Sequence, residues 1–248
     1  MVQQRYAVIN YKGGTGKTTT VINLCHGLSL QGKKVLLVDT DPQGSVGHYF
    51  GLNPKKTLYD VLINKEKVED CIVNLRYNFD ALLSNERIFP AEIKISRVKN
   101  REFFLQKALE SCTGYDYIFV DCAPSMNLLN QNALIYARQL ILPVSMEYLS
   151  LIGVKQLLKN IKIINKLFNR KVVISHVIPT FYDKRYKKSR DVLESLSRVF
   201  PDMLTSSIRY SLGLSEAPGH KMTIFEYDPN SLVASDYFSI VEGIIKDG

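Results

Sequence analysis

The stretch "NYKGGTGKTTT", residues 10 to 20, sets Gly13, Gly14 and Gly16 around Thr15 and follows them with Lys17, Thr18 and Thr19. Those residue types suit phosphate binding. A glycine-rich loop between a buried strand and a helix lets backbone N–H groups converge on phosphate oxygens, and the helix N-terminus adds partial positive charge. Gly16-Lys17-Thr18 fit the closing positions of the G-x-x-x-x-G-K-[ST] pattern. Lys17 should therefore reach the β and γ phosphates of a nucleotide, and Thr18 should bind Mg²⁺. Two features depart from the pattern: Tyr11 stands where the opening glycine belongs, and a second lysine, Lys12, precedes the glycines. One lysine suffices to meet a nucleotide's phosphates, so Lys12 needs another use.

Carboxylates follow the apolar runs. Asp121 closes "YIFVD", where a carboxylate at the C-terminal end of a parallel strand can hold a Mg²⁺ shell through water. Asp39 and Asp41 in "VLLVDTDPQGS" come after a second run and face the same crevice; one supports the metal while the other orients or activates the attacking water. Turn formation ahead of Pro42 and Gly44 is the alternative use for one of them.

These groups need a frame to hold them. "RYAVIN", the loop, "TTTVINLCHGLSLQ" and "KKVLLVD" read as strand, loop, helix and strand, a βαβ unit with a sheet buried on both faces. "YDYIFVD" (115–121) and "RQLILPVS" (138–145) repeat the strand pattern around the helical stretch "MNLLNQNALIYA". "KVVISHVIP" (171–179) adds another strand after an amphipathic segment at 151–168. The alternation predicts an α/β fold with a doubly wound, mostly parallel sheet flanked by helices, and a single domain over residues 1–248. Residues 57–112 read as mainly helical with one short strand at "FDALLS", and "SLVASDYFSIVEGIIKDG" as a closing helix packed on the sheet.

At 248 residues, 46% hydrophobic and 23% charged, the chain can bury a substantial core. No window approaches the ~18 continuous apolar residues of a membrane span, and the start lacks the order of a signal peptide, so a cytoplasmic protein is expected. Cys25, Cys71, Cys112 and Cys122 show no metal-ligand spacing. The net charge of +8 is concentrated: Lys155 to Arg190 holds eleven Lys or Arg and one acid, Asp183, leaving everything else slightly acidic. Such concentration suits a polyanion-binding surface.

"KGGTGKTTT" with Lys12 in front, "VLLVDTDPQGS", "YDYIFVDCAPS" and "LSEAPGHKMTIFEYDPNS" together resemble the ParA/MinD group of P-loop NTPases with a deviant Walker A motif, closest to ParA-type partition proteins. The resemblance runs from about residue 5 to 245. It implies an ATPase that forms an ATP-sandwiched homodimer, with Lys12 crossing to the partner's phosphates and Asp41 needed for hydrolysis. It further places Thr19 at the α phosphate, Asp39 near the metal and Asp121 at its water shell. Adenine contacts fall on Pro179, Thr180, Phe181 and Pro218. ATP is favoured over GTP because no N-K-x-D motif is present. Physics makes the role of Lys12 reasonable. A lysine presented from a facing subunit adds charge only after dimerisation, much as an arginine finger does.

Lys155, Lys159, Lys162, Lys166 and Arg170 recur at helical spacing opposite an apolar stripe of Leu157, Ile161, Ile164 and Phe168. A solvated outer face would look the same. "DKRYKKSR" adds Lys184, Arg185, Lys187, Lys188 and Arg190. Both patches could neutralise phosphates without reading bases, and the resemblance implies nonspecific double-stranded DNA binding by the ATP dimer, with nucleoid association. Gly213 stands where many relatives carry a DNA-binding arginine before "LSEAP"; Arg209 is the nearby substitute. A ParB-like or other adaptor that stimulates hydrolysis is the implied partner, and a plasmid, chromosome origin or protein assembly the implied cargo. Two alternatives share the fold: a membrane-cycling MinD-like division regulator, which needs a basic amphipathic C-terminal helix that "SIVEGIIKDG" does not supply, and a redox member resembling nitrogenase iron protein, whose cluster cysteines are not matched. A nonhydrolysing scaffold is the reading from another class, against which the intact Asp41 argues.

Overall fold

The structure, a computed structural model, describes residues 2–248. Its strands are β1 (Gln4–Val8), β2 (Val35–Asp39), β3 (Ile72–Arg76), β4 (Phe79–Leu82), β5 (Tyr117–Asp121), β6 (Gln139–Ser145) and β7 (Val173–Thr180). They form one sheet in the order β3-β4-β2-β5-β1-β6-β7. Every pairing is parallel except that of β3 with β4. The six parallel strands therefore bring their carboxyl ends to one edge, where an α/β sheet binds its ligands.

The helices are α1 (Lys17–Leu30), α2 (Ser45–Phe50), α3 (Ile88–Ile95), α4 (Phe104–Ala108), α5 (Leu128–Ala137), α6 (Tyr148–Phe168), α7 (Lys187–Val199), α8 (Leu212–Glu216), α9 (Ile224–Tyr227) and α10 (Leu232–Asp247). β2 and β5 are buried along their whole length, which is why they read as unbroken apolar runs and not as alternating ones. Their side chains divide between two cores. Leu36, Val38, Ile118 and Val120 pack toward Leu129 and Leu134 of α5 and Leu157 and Ile161 of α6. Leu37 and Phe119 pack on the other face with Leu24 and Leu28 of α1 and Tyr237, Ile240 and Ile244 of α10. Each such side chain contributes roughly 1.5–3 kcal/mol on burial. The closing helix thus lies on the sheet as its sequence indicates, and it crosses α1 at Gly27, where a Cβ would come 2.7 Å from Val241 Cγ2.

Residues 57–112 hold the expected strand as β4, set among short helical segments, and one strand more than expected. That segment holds two strands, with β3 pairing antiparallel to β4 across a two-residue turn at Tyr77 and Asn78, the latter at φ 55°. Its α-helices, α3 and α4, are short. β3 is an edge strand with a bulge and a half-buried face, so its apolar signal is diluted where the central strands announce themselves.

Candidate functional site

The loop between β1 and α1 starts from a tether. Asn10 donates through Nδ2 to the Pro143 carbonyl of β6 at 2.8 Å, and its Oδ1 accepts the Lys12 N–H at 3.0 Å. Gly14 (φ 71°) and Gly16 (φ 80°) then take left-handed conformations that a side chain would strain. From the far side, Thr180 Oγ1 donates to the Thr15 carbonyl at 2.9 Å. The loop is held from β6 and β7 before any ligand arrives.

Lys17, at the start of α1, is buried and donates to the Lys12 carbonyl at 3.3 Å. Burial lowers its pKa, and Asp121 is the first of the carboxylates opposing that shift. Thr18 Oγ1 donates to Asp121 Oδ2 at 2.7 Å, whereas Asp121 Oδ1 is buried with no partner. An orphaned carboxylate oxygen beside a threonine hydroxyl is a donor set that suits a hydrated Mg²⁺. Burial pushes the Asp121 carboxyl up to about 7, against the pull of Thr18 and Lys17. A divalent cation would relieve that cost.

Asp39 lies opposite Asp121 on the adjoining strand. Its two oxygens accept the Asp41 N–H at 2.9 Å and the Val46 N–H at 3.2 Å. It is therefore turned to the main chain and shapes the turn that presents Asp41, while Thr18 and Asp121 are the expected metal groups that actually meet. Burial, with Asp121 next, raises the Asp39 pKa strongly. Asp41 accepts the Gln43 N–H at 2.9 Å and lines a cleft of about 210 Å³ with Gly13 to Thr19, Ser45 and Pro124. A second cleft of about 150 Å³ adjoins it, walled by Thr19, Thr180, Phe181, Tyr210, Leu214 and Ser215. Thr180 and Phe181 are where a base pocket is expected. Pro179 and Pro218 line neither cleft: Pro179 is buried inside β7 and Pro218 is half-buried beyond α8.

Lys12 meets Lys17 through its main-chain carbonyl, but its side chain has other partners. Its ammonium pairs with Glu147, just ahead of α6, and has Ser150 Oγ at 3.3 Å. The Lys12 hydrogen bond holds the Glu147 carboxyl below its ordinary range. Sequence reasoning misses Glu147, although a signal exists: it is the only acid between Asp121 and Asp183. Asn10 escapes it too, since nothing in a lone asparagine at a strand end distinguishes a tether from a turn.

The basic residues separate by environment. Lys155, Lys159, Lys162 and Lys166 are all exposed along α6, opposite buried Val154, Leu157, Ile161 and Ile164. "KKSR" opens α7, which sets Lys187, Lys188 and Arg190 on a helix. Arg190 reaches back to the Lys184 carbonyl at 2.6 Å, and Arg185 chelates Asp183. Arg209 is bound in bidentate fashion by Asp236, both hydrogen bonds at 2.7 Å, so its charge is already matched. Among the described residues no helix is long and apolar enough to cross a membrane.

A mostly parallel sheet with a glycine loop, Lys17, Thr18 and a strand-end Asp121 at its carboxyl edge defines a P-loop nucleotide-binding protein. The relatives make the class narrower. The family described as an AAA domain matches residues 3–174. The sporulation initiation inhibitor protein Soj of Bacillus subtilis is 36% identical over 98% of each chain. The chromosome-partitioning ATPase Soj of Treponema pallidum is 34% identical over 97% of this chain and 96% of its own. Among solved structures, cobyrinic acid a,c-diamide synthase of Mycobacterium smegmatis with bound ADP and magnesium superposes with a TM-score of 0.86 at 28% identity, covering 99% of this chain and 95% of its own. The chain belongs to the ParA/MinD family of P-loop ATPases.

Proposed function

We propose that this protein is an ATP-hydrolysing partition or cargo-positioning protein, working with ATP and Mg²⁺ and assembling as a nucleotide-sandwich homodimer that holds duplex DNA without regard to sequence. The observation that carries the reading is the division of labour between the two lysines. Lys17 lies with Asp121 beneath the loop, whereas Lys12 stands across the glycines against Glu147. A lysine so placed is available to a facing subunit's phosphates.

Each group then has a task. Loop N–H groups and Lys17 bind the phosphates, Thr18 and Asp121 hold the metal's shell, and Asp41 orients the attacking water. The metal, when bound, neutralises charge on the β and γ phosphates. Thr180, Phe181 and their neighbours take the base. Stimulation of turnover by an adaptor, residence on the nucleoid and a single-domain organisation complete the proposal. The exposed lysines of α6, with those opening α7, supply the phosphate-neutralising face. The membrane-cycling alternative is not the favoured one: α10 turns Val233, Tyr237, Ile240, Val241 and Ile244 into the core on the sheet.

Retention of random-sequence duplex tests the reading. ATP with Mg²⁺ should support binding that ADP does not, and affinity should fall steeply with salt. Removing Lys155, Lys159, Lys162 and Lys166 together should weaken binding to all sequences alike and flatten the salt slope by about 0.9 for each phosphate no longer neutralised. Equal retention with ATP and ADP, or ATP-dependent capture by anionic vesicles in place of DNA, would overturn it.

A further inference from the structure

The Ile9 N–H reaches the Ile141 carbonyl of β6 at 3.1 Å, and the Pro143 carbonyl, two residues further along β6, is taken by the Asn10 amide at 2.8 Å. Asn10 thus continues with its side chain a contact to β6 that the main chain gives up as it turns into the loop. Its Oδ1 accepts the Lys12 N–H at 3.0 Å, a side-chain turn that fixes the course of Lys12. Asn10 is 1% exposed, so water cannot readily replace either bond.

What Asn10 fixes serves two lysines. The Lys12 carbonyl accepts the Lys17 ammonium at 3.3 Å, while the Lys12 ammonium meets Glu147 and Ser150 at the start of α6. Ser150 is held in turn, its Oγ 2.8 Å from Ser145 Oγ at the end of β6. A shift of the Lys12 main chain would therefore displace both cations.

The second turn of α6 closes on the same place. A Cβ built on Gly153 would lie 3.2 Å from Asn10 Oδ1 and 3.9 Å from Lys12 N and Lys12 Cβ. The first of these distances is too short for close packing without movement. Gly153 is not one of the left-handed glycines, and alanine would suit the helix better. The missing methyl is explained by the approach of α6 to Asn10 and not by the backbone of α6.

We infer that Asn10 and Gly153 are positioning residues for ATP hydrolysis. Asn10 sets the Lys12 main chain, and through it the two lysines that meet the phosphates; Gly153 leaves the room in which Asn10 does so. This rests on the reading of Lys12 and Lys17 as the phosphate-facing cations. Neither positioning residue lines the clefts over the loop and beside Phe181, so an effect on turnover passes through the lysines.

Phosphate release by the full chain at saturating ATP and Mg²⁺, measured beside ADP affinity and melting temperature, tests the assignment. Gly153→Ala should melt no lower than wild type. It should nonetheless turn over roughly three- to tenfold more slowly, because a 1 Å error in a reacting geometry costs about a hundredfold and the methyl imposes a few tenths of that. Asn10→Ala should lose about tenfold in kcat with its ADP Kd within about threefold of wild type. Asn10→Ser can still accept the Lys12 N–H and should recover part of the loss. A Gly153→Ala protein with wild-type kcat would overturn the inference, and it decides the matter even where Asn10→Ala does not fold. ADP affinity falling in step with kcat in Asn10→Ala would reduce Asn10 to a tether of the loop and overturn it equally. If the wild-type chain releases no phosphate from ATP, the reading of the two lysines fails first and this one with it.

Discussion

Lys12 and Glu147 form an ion pair at the edge of a cleft of about 710 Å³, and Ser150 Oγ stands 3.3 Å from the same ammonium. A lysine that serves a facing subunit must leave that pair, so Glu147 competes with dimerisation. Both side chains are partly exposed, which limits the pair to about 0.5–1 kcal/mol. Glu147→Gln should therefore lower the ATP concentration needed for dimerisation by about two- to fivefold, whereas Lys12→Gln should abolish the dimer, hydrolysis or both. Chromatography across an ATP titration reads the first, and phosphate release the second. A Lys12→Gln protein with a normal ATP dimer and normal turnover would show that Lys12 is only a solvated neighbour of the loop.

How much of the molecule is legible in one dimension depends on how local each feature is. Gly16, Lys17 and Thr18 act at fixed offsets along one loop, and β2 and β5 are apolar throughout because both of their faces are covered; such features survive in a linear reading. Glu147 lies 135 residues from Lys12 and Asp236 lies 27 from Arg209, and no local pattern announces either pairing. Arg209 for that reason reads as a free cation when it is matched. β3 escapes for a different reason: only one of its five residues is buried. For Asp39 the sequence leaves two uses open, metal support and turn formation, because chemistry alone cannot tell a carboxylate facing a metal from one that accepts the N–H groups of its own turn, as Asp39 does from Asp41 and Val46.

Asp41 carries the prediction about turnover. Asp39 accepts its N–H, the Ser84 hydroxyl donates to its carbonyl, and the Gln43 N–H meets its side chain. The backbone is thus fixed independently of the carboxylate, so Asp41→Ala should keep the fold. It should reduce phosphate release about a hundredfold or more while ATP-dependent dimer persists. Turnover within a few fold of wild type would remove Asp41 from the reaction.

Asp121 should show opposite effects in the presence and absence of ligand. It and Asp39 are neighbours on adjoining strands, both buried, and burial raises both carboxyls. Asp121→Asn removes one buried charge, so the unliganded protein should melt higher, by roughly 2–4 °C for each kcal/mol gained. The same change removes a group expected at the metal's shell, so the stabilisation conferred by ATP with Mg²⁺ should shrink. Scans with and without ATP and Mg²⁺ separate the two. A lower melting temperature for the unliganded variant would mean that Lys17 and Thr18 already compensate Asp121 fully.

His176 gives a prediction in pH. Its ring is buried beside Tyr6, with Nδ1 3.0 Å from Ser175 Oγ and Nε2 3.2 Å from Asp247 Oδ2. Burial lowers its pKa from 6.5, and Asp247, largely exposed, only partly restores it. The unfolded chain therefore takes up a proton at this site before the native state does. More protons bound in the unfolded state means stability that rises with pH, so the contribution is intact above about pH 6.5 and is lost as pH falls toward the lowered native value. His176→Gln keeps a polar side chain without the titration. The drop in melting temperature between about pH 7.5 and 5.5 should be smaller in that variant than in the wild-type chain. A larger drop would reverse the sign, showing that the native state prefers the imidazolium and that the Asp247 pair outweighs burial.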